Sequence, residues 1–161
     1  MDARSRTLDY LRTHHVMTVA TAGPDGPAAA AVFYVSRGLD LYFLSAPHSR
    51  HCVNLEADPR VAATIQDAPA AWSDIRGLQL TGTARRLDDA DADEARRLYC
   101  ARFPEATTSA GAASALARAL LRIRWYGLVI EHLRFIDNSR GFGHRDEWSR
   151  GEFLRDVTPQ C

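Results

Sequence analysis

The chain has 161 residues, 46% of them hydrophobic, with 20 basic and 20 acidic side chains. That length and apolar content suffice for one buried core without disulfide support, and the balanced charge supplies no overall field to draw the protein to nucleic acid or to an anionic membrane. All 20 basic residues are arginine, so any ion pair or phosphate contact must use Arg or His.

Cys52, Cys100 and Cys161 are far apart and show no C-x-x-C spacing, which argues against a disulfide framework or a zinc ribbon and fits a reducing compartment. The first residues lack the apolar run of a signal peptide, and no segment approaches the roughly 20 apolar residues that span a bilayer. The expectation is a soluble, cytoplasmic, single-domain protein.

In chain order, residues 5–14 predict a short amphipathic helix with Leu8 and Leu11 on one face and Ser5 or Asp2 as its cap. His14 and His15 close it, where a positive imidazole meets the negative end of the helix dipole. Residues 16–22 predict a strand, and the dense turn signal Gly23-Pro24-Asp25-Gly26-Pro27 joins it to a second strand over 28–35, a hairpin. Four alanines at 28–31 leave one sheet face without bulk. Either a flat ligand lies there or the barrel interior is tightly packed, and the sequence leaves both open.

Residues 41–65 carry the functional signal. Alternating Leu41 and Phe43 give a third strand, Val53, Asn54 and Leu55 have helical spacing, and β-branched residues follow Pro59. Between strand and helix stand Ser45, His48, Ser49, Arg50 and His51. Hydroxyls, backbone N–H groups at a helix N-terminus and a fixed cation in one turn suit a phosphate. Locally the same residues also describe an ordinary helix cap and a solvated charge. His48, His51 and Cys52 could touch a metal, but no second ligand cluster supports one.

Residues 67–74 form a loop with Pro69 and Trp72, and residues 75–87 a long strand with Leu78, Leu80, Gly82 and Ala84 on one face. The acidic run 88–94 fails the calcium-loop test, having Glu94 where Gly is required and Cys100 where Glu is required, and predicts a helix N-terminus instead. That helix ends at Pro104, with Cys100 inert on it. An Ala-rich helix is expected over 112–121. A strand over 126–130, an interruption at Glu131 and His132, and a strand over 133–136 complete six or seven strands and three helices. Hairpin-built sheets with helices at their ends imply a small β-barrel. Phe142 and Trp148, aromatics in a polar tail, are expected to pack on a second subunit.

The order strand, S-x-x-x-S-R, helix with N-L, then D-P-R-V-A resembles the FMN-binding split barrels of the pyridoxamine 5'-phosphate oxidase-like superfamily. The likeness covers residues 8–86, and Phe135 to Gly143 looks like a related bacterial branch. It implies a mainly β fold: a six- to seven-stranded antiparallel FMN-binding split β-barrel with peripheral helices, the segment 88–121 being a helical insertion. It also implies that Ser45, Ser49, Arg50 and His51 hold the FMN phosphate and that Ala31, Val32 and Phe33 line the ring. Gly77, Leu78 and Gln79 would reach the partner's cofactor in a homodimer with shared sites, served by a small-molecule electron donor or acceptor. The chain departs from the oxidases in having His51 for a Lys, Ala29 for an Arg and Gly77 for a Gln, and in lacking their C-terminal Arg-x-His. Oxidation of pyridoxamine 5'-phosphate is therefore not expected. The other readings are an F420-dependent reductase and a non-catalytic dimer that carries flavin or haem or serves as a scaffold.

Overall fold

The computed structural model describes residues 1–104 and 122–155; the expected helix over 112–121 and Cys161 lie outside them. Helix α1 (Ala3–Thr13) starts at Asp2, whose carboxylate accepts the Ser5 N–H at 2.8 Å. It buries Thr7, Tyr10 and Leu11. Strands β1 (Val16–Gly23) and β2 (Gly26–Arg37) form the expected hairpin, followed by β3 (Asp40–Ser45), α2 (Arg50–Ala57), β4 (Arg60–Gln66) and β5 (Arg76–Arg86). Asp88 caps α3 (Asp89–Arg102) by accepting from the Asp91 N–H. Strands β6 (Arg124–Asp137) and β7 (Arg145–Ser149) and helix α4 (Arg150–Arg155) complete the described chain.

All pairings are antiparallel, in the order β3-β2-β1-β4-β5-β6-β7, and a further β3–β6 pairing closes the first six strands into a barrel. Period-two burial explains why these segments are strands. In β4, Val61, Ala63 and Ile65 face inward, and in β5 Leu78, Leu80, Gly82 and Ala84 do so. Tyr10 and Leu11 of α1, Cys52 and Leu55 of α2 and Phe153 of α4 join the same core. Helix α3 packs outside the barrel, with Ala95 against Val35 and Tyr42.

The interruption expected at Glu131 and His132 is a bulge within one continuous strand. The β5–β6 register passes from Thr81↔His132 to Gly82↔Ile130, leaving Glu131 unpaired. On its other edge β6 pairs with β3 before the bulge and with β7 after it.

Trp148 corrects the expectation of a subunit contact: it packs on its own core and meets the Phe153 ring edge-on at 5.3 Å. Strand β7 and helix α4 were missed in the sequence. Their signal was S-x-x-E, because Ser149 and Glu152 form a reciprocal capping box, with Ser149 N–H donating to Glu152 Oε2 at 2.8 Å and Glu152 N–H donating to Ser149 Oγ at 3.3 Å.

Candidate functional site

The site begins where β2 loses a neighbour. From Gly26 to Phe33 β2 pairs with β1, whereas its pairing with β3 covers only Tyr34 to Arg37. Among the described residues no strand covers the other edge of β2 from Gly26 to Phe33, so backbone N–H and C=O groups there open toward the turn that follows Ser45. This gap is the split in the barrel.

The turn fills one side of the gap. Ser45 Oγ lies 2.6 Å from His51 Nε2 and 3.3 Å from Ser49 Oγ, which is itself 3.3 Å from His51 Nε2. Ser49 occupies the N-cap position of α2 but makes no side-chain cap bond, and the first turn of α2 carries no acid. The amide N–H groups of that turn are thus left for another acceptor, unlike those of α1 and α3, which Asp2 and Asp88 cap. Helix α2 is held in place by Asn54, buried at its centre, whose Nδ2 donates to Thr21 Oγ1 of β1 at 3.1 Å.

The structure thus brings Ser45, Ser49 and His51 together. Arg50 is in the same turn, with Nη1 donating to Asp25 Oδ2 of the β1–β2 turn at 2.7 Å. His48 joins no metal cluster, and none exists among the described residues. Behind the turn Cys52 is fully buried. Burial raises its thiol, but hydrogen bonding from His51, Ser49, Tyr126 and Ser45 outweighs burial and lowers it to about 7. Tyr126 Oη is buried beside this thiol. Burial, and the thiol beside it, push the phenol up.

Ala31 and Phe33 of β2 face outward, Phe33 being 56% exposed, whereas the Val32 side chain is in the core. Val32 therefore offers a ligand only its backbone. The same holds for Leu78, buried in the core, while Gln79 is exposed and Gly77 half-buried. Ala29 and Ala31 point out and Ala28 and Ala30 are half-buried, so the alanine run serves both a smooth outer face and a close-packed inner one. Ala31, Thr18, Thr64, Gln79, Arg134 and Glu147 form one cross-sheet row. Gln79 is thus three strand spacings from Ala31, about 14 Å along the sheet.

Pyridoxamine 5'-phosphate oxidase, as a family model, matches residues 4–135. The chain belongs to this family. A UPF0306 protein from Photorhabdus laumondii is 31% identical over 143 residues, covering 88% of this chain and 92% of the relative. Among solved structures, a heme binding protein from Mycobacterium smegmatis superposes with a TM-score of 0.69 at 22% identity, covering 93% of this chain and 58% of that longer one. A FAD-binding protein from Mesorhizobium loti superposes with a TM-score of 0.61 at 17% identity, covering 83% of this chain and 92% of that one. The family's split barrel is thus the fold of this chain. No helix among the described residues is long and apolar enough to cross a membrane.

Proposed function

We propose that the protein is a homodimeric FMN-binding redox protein, with the cofactor phosphate at the N-terminus of α2 and the ring along the open edge of β2. The observation that carries this reading is the uncapped α2, whose first-turn N–H groups stand beside two hydroxyls and an imidazole. Two hydroxyls, uncapped amides and Arg50 form a donor set fitted to a phosphate. The family membership and the haem- and FAD-binding neighbours support a redox-cofactor role for this barrel.

A bound flavin supplies electron transfer to or from a small-molecule donor or acceptor. The chain supplies position. Ser45 and Ser49 donate to the phosphate, and the backbone of Ala31, Val32 and Phe33 meets the polar edge of the ring. Small residues at Ala29 and Ala31 leave its face room. Gly77, Leu78 and Gln79 of β5 lie too far along the sheet for the same protomer's ring, so in this reading they approach the partner's. Phe33 and Val16, both exposed and opposed across the β1–β2 pair, share the outward face with Ala29 and Ala31 and give a second copy an apolar surface to bury. A dimer of this kind buries about 2,000 Å² or more. Pyridoxamine 5'-phosphate is not its substrate, because Ala29 and Gly77 replace polar residues of the oxidases and Arg150, in the tail, is paired with Asp40 at 3.0 Å.

The test is reconstitution of the purified protein with FMN, F420 and haem in parallel, read by absorption and by sedimentation. FMN retained by a dimer is the expected result. A monomer, or retention of F420 or haem in preference to FMN, contradicts the proposal.

A further inference from the structure

We infer that a cavity of about 530 Å³ on the outer face of the barrel, between α3 and the start of α4, binds a small zwitterion that carries an ammonium and a carboxylate together, as a free α-amino acid or a short peptide does. It lies apart from the α2 turn. Asp40, at its rim, and Ser45, in that turn, are the two ends of β3, about 17 Å apart along an extended strand.

Strand β3 builds the floor. Leu41 and Phe43 enter the barrel core, so Tyr42 between them faces outward, beneath α3. Tyr42, Gly127 and Arg85 are opposed in one row across β3, β6 and β5, and opposed residues share a face. Gly127 puts no side chain between the tyrosine and the arginine. Leu87 packs over it so closely that a Cβ there would meet Leu87 Cδ2 at 2.9 Å. The result is a depression with Leu87 and Val129 as apolar flanks.

Tyr42 is only 9% exposed, yet its hydroxyl has no hydrogen-bond partner among the described residues. The charges that act on its phenol belong to Arg37, Asp40, Glu94 and Asp91, all of which line the cavity, so the hydroxyl end of the ring is the cavity end. Burial, the largest influence, raises the phenol above its ordinary value, so at neutral pH the hydroxyl keeps its proton for donation. A buried donor left unmade favours any molecule that satisfies it.

Three ion pairs ring this donor. Arg37 Nη1 donates to Glu94 Oε1 at 3.0 Å, Arg85 Nη2 donates to Asp91 Oδ2 at 2.6 Å, and Arg150 Nη2 lies 3.0 Å from Asp40 Oδ1. The rim is therefore balanced in charge. A lone anion has to displace a carboxylate from its arginine, and a lone cation an arginine from its carboxylate, leaving the displaced group without its partner. A zwitterion enters an opened pair with its carboxylate on the guanidinium and its ammonium on the acid, so every charge keeps a partner. The side chains of Arg37 and Arg85 are more than half exposed, and pairs of that kind open at little cost. The Tyr42 hydroxyl then donates to the ligand carboxylate, and an aliphatic side chain rests on Leu87 and Val129.

The experiment is isothermal titration calorimetry of the full chain with L-leucine and glycyl-L-leucine, and with N-acetyl-L-leucine and L-leucinamide, which lack the positive and the negative charge respectively. Leucine or glycyl-leucine should bind saturably, about tenfold or more tighter than either singly charged analogue; which of the two binds more tightly separates a free amino acid from a peptide. Tyr42→Phe keeps the packed ring and should weaken that binding about tenfold with the urea midpoint unchanged, because the hydroxyl has no partner in the chain to lose. Binding of neither zwitterion at millimolar concentration overturns the inference. So does a singly charged analogue bound as tightly, or a Tyr42→Phe variant that binds the zwitterion as the parent does.

Discussion

Ser45 Oγ, at the end of β3, lies 2.6 Å from His51 Nε2 in the first turn of α2. That contact joins a strand end to a helix start, and Ser49 Oγ, 3.3 Å from each of the two atoms, makes no side-chain cap bond. Directly behind it sits Cys52. Burial raises that thiol, and hydrogen bonding headed by His51 more than reverses the effect, to about 7 from an ordinary value of 9.0. The unfolded chain therefore holds the thiol proton to higher pH than the folded one. The stabilisation is complete above about 9.0 and is lost as pH falls through about 7. Urea unfolding should show a midpoint that rises between these limits in the parent, and a smaller rise in Cys52→Ser. Equal slopes in both proteins would contradict the assignment.

Arg50 and Asp25 make an opposed prediction. Their 2.7 Å ion pair is exposed on both sides, and such pairs contribute about 0.2–1 kcal/mol. Asp25→Ala should free Arg50 and tighten FMN binding about two- to fivefold. Arg50→Ala should weaken it about tenfold or more, by loss of a charge-assisted contact. If both substitutions leave the dissociation constant from flavin fluorescence unchanged, the turn is not the phosphate site.

Gly82 faces the bulge in β6. A Cβ on it would lie 2.0 Å from Val129 O and 3.0 Å from Val129 C, both backbone atoms that cannot rotate aside. Gly82→Ala should destabilise the fold by about 1–3 kcal/mol, as overpacking does, measured as a lower urea midpoint with little change in slope. An unchanged midpoint would mean that the two strands separate more readily than their register implies.

Much of the barrel was legible because hairpin signals and period-two burial are local. Gly23-Pro24-Asp25-Gly26 gave the first hairpin, and Leu78, Leu80, Gly82 and Ala84 gave the inner face of β5. The candidate turn was legible as composition, since Ser45, Ser49 and His51 are near in sequence. What local reading missed depends on distant pairing. The engagement of Arg50 by Asp25 and the packing of Trp148 on Phe153 both depend on how the chain folds back on itself. Asp2, rather than Ser5, caps α1, a choice that only the backbone geometry decides. The inward side chains of Val32 and Leu78 follow from strand phase. They restrict those residues to backbone contacts.

The most direct test of the account is an NMR titration of the isotopically labelled protein with FMN, following the backbone N–H resonances of Arg50, His51 and Cys52. An uncapped helix start that receives a phosphate should shift these three amides saturably and together, with Ser49 beside them, while the amides of β7 and α4 stay in place. Riboflavin should leave the three amides nearly unmoved. FMN binding that leaves the first turn of α2 unperturbed, or shifts centred on another part of the barrel, would contradict the central claim.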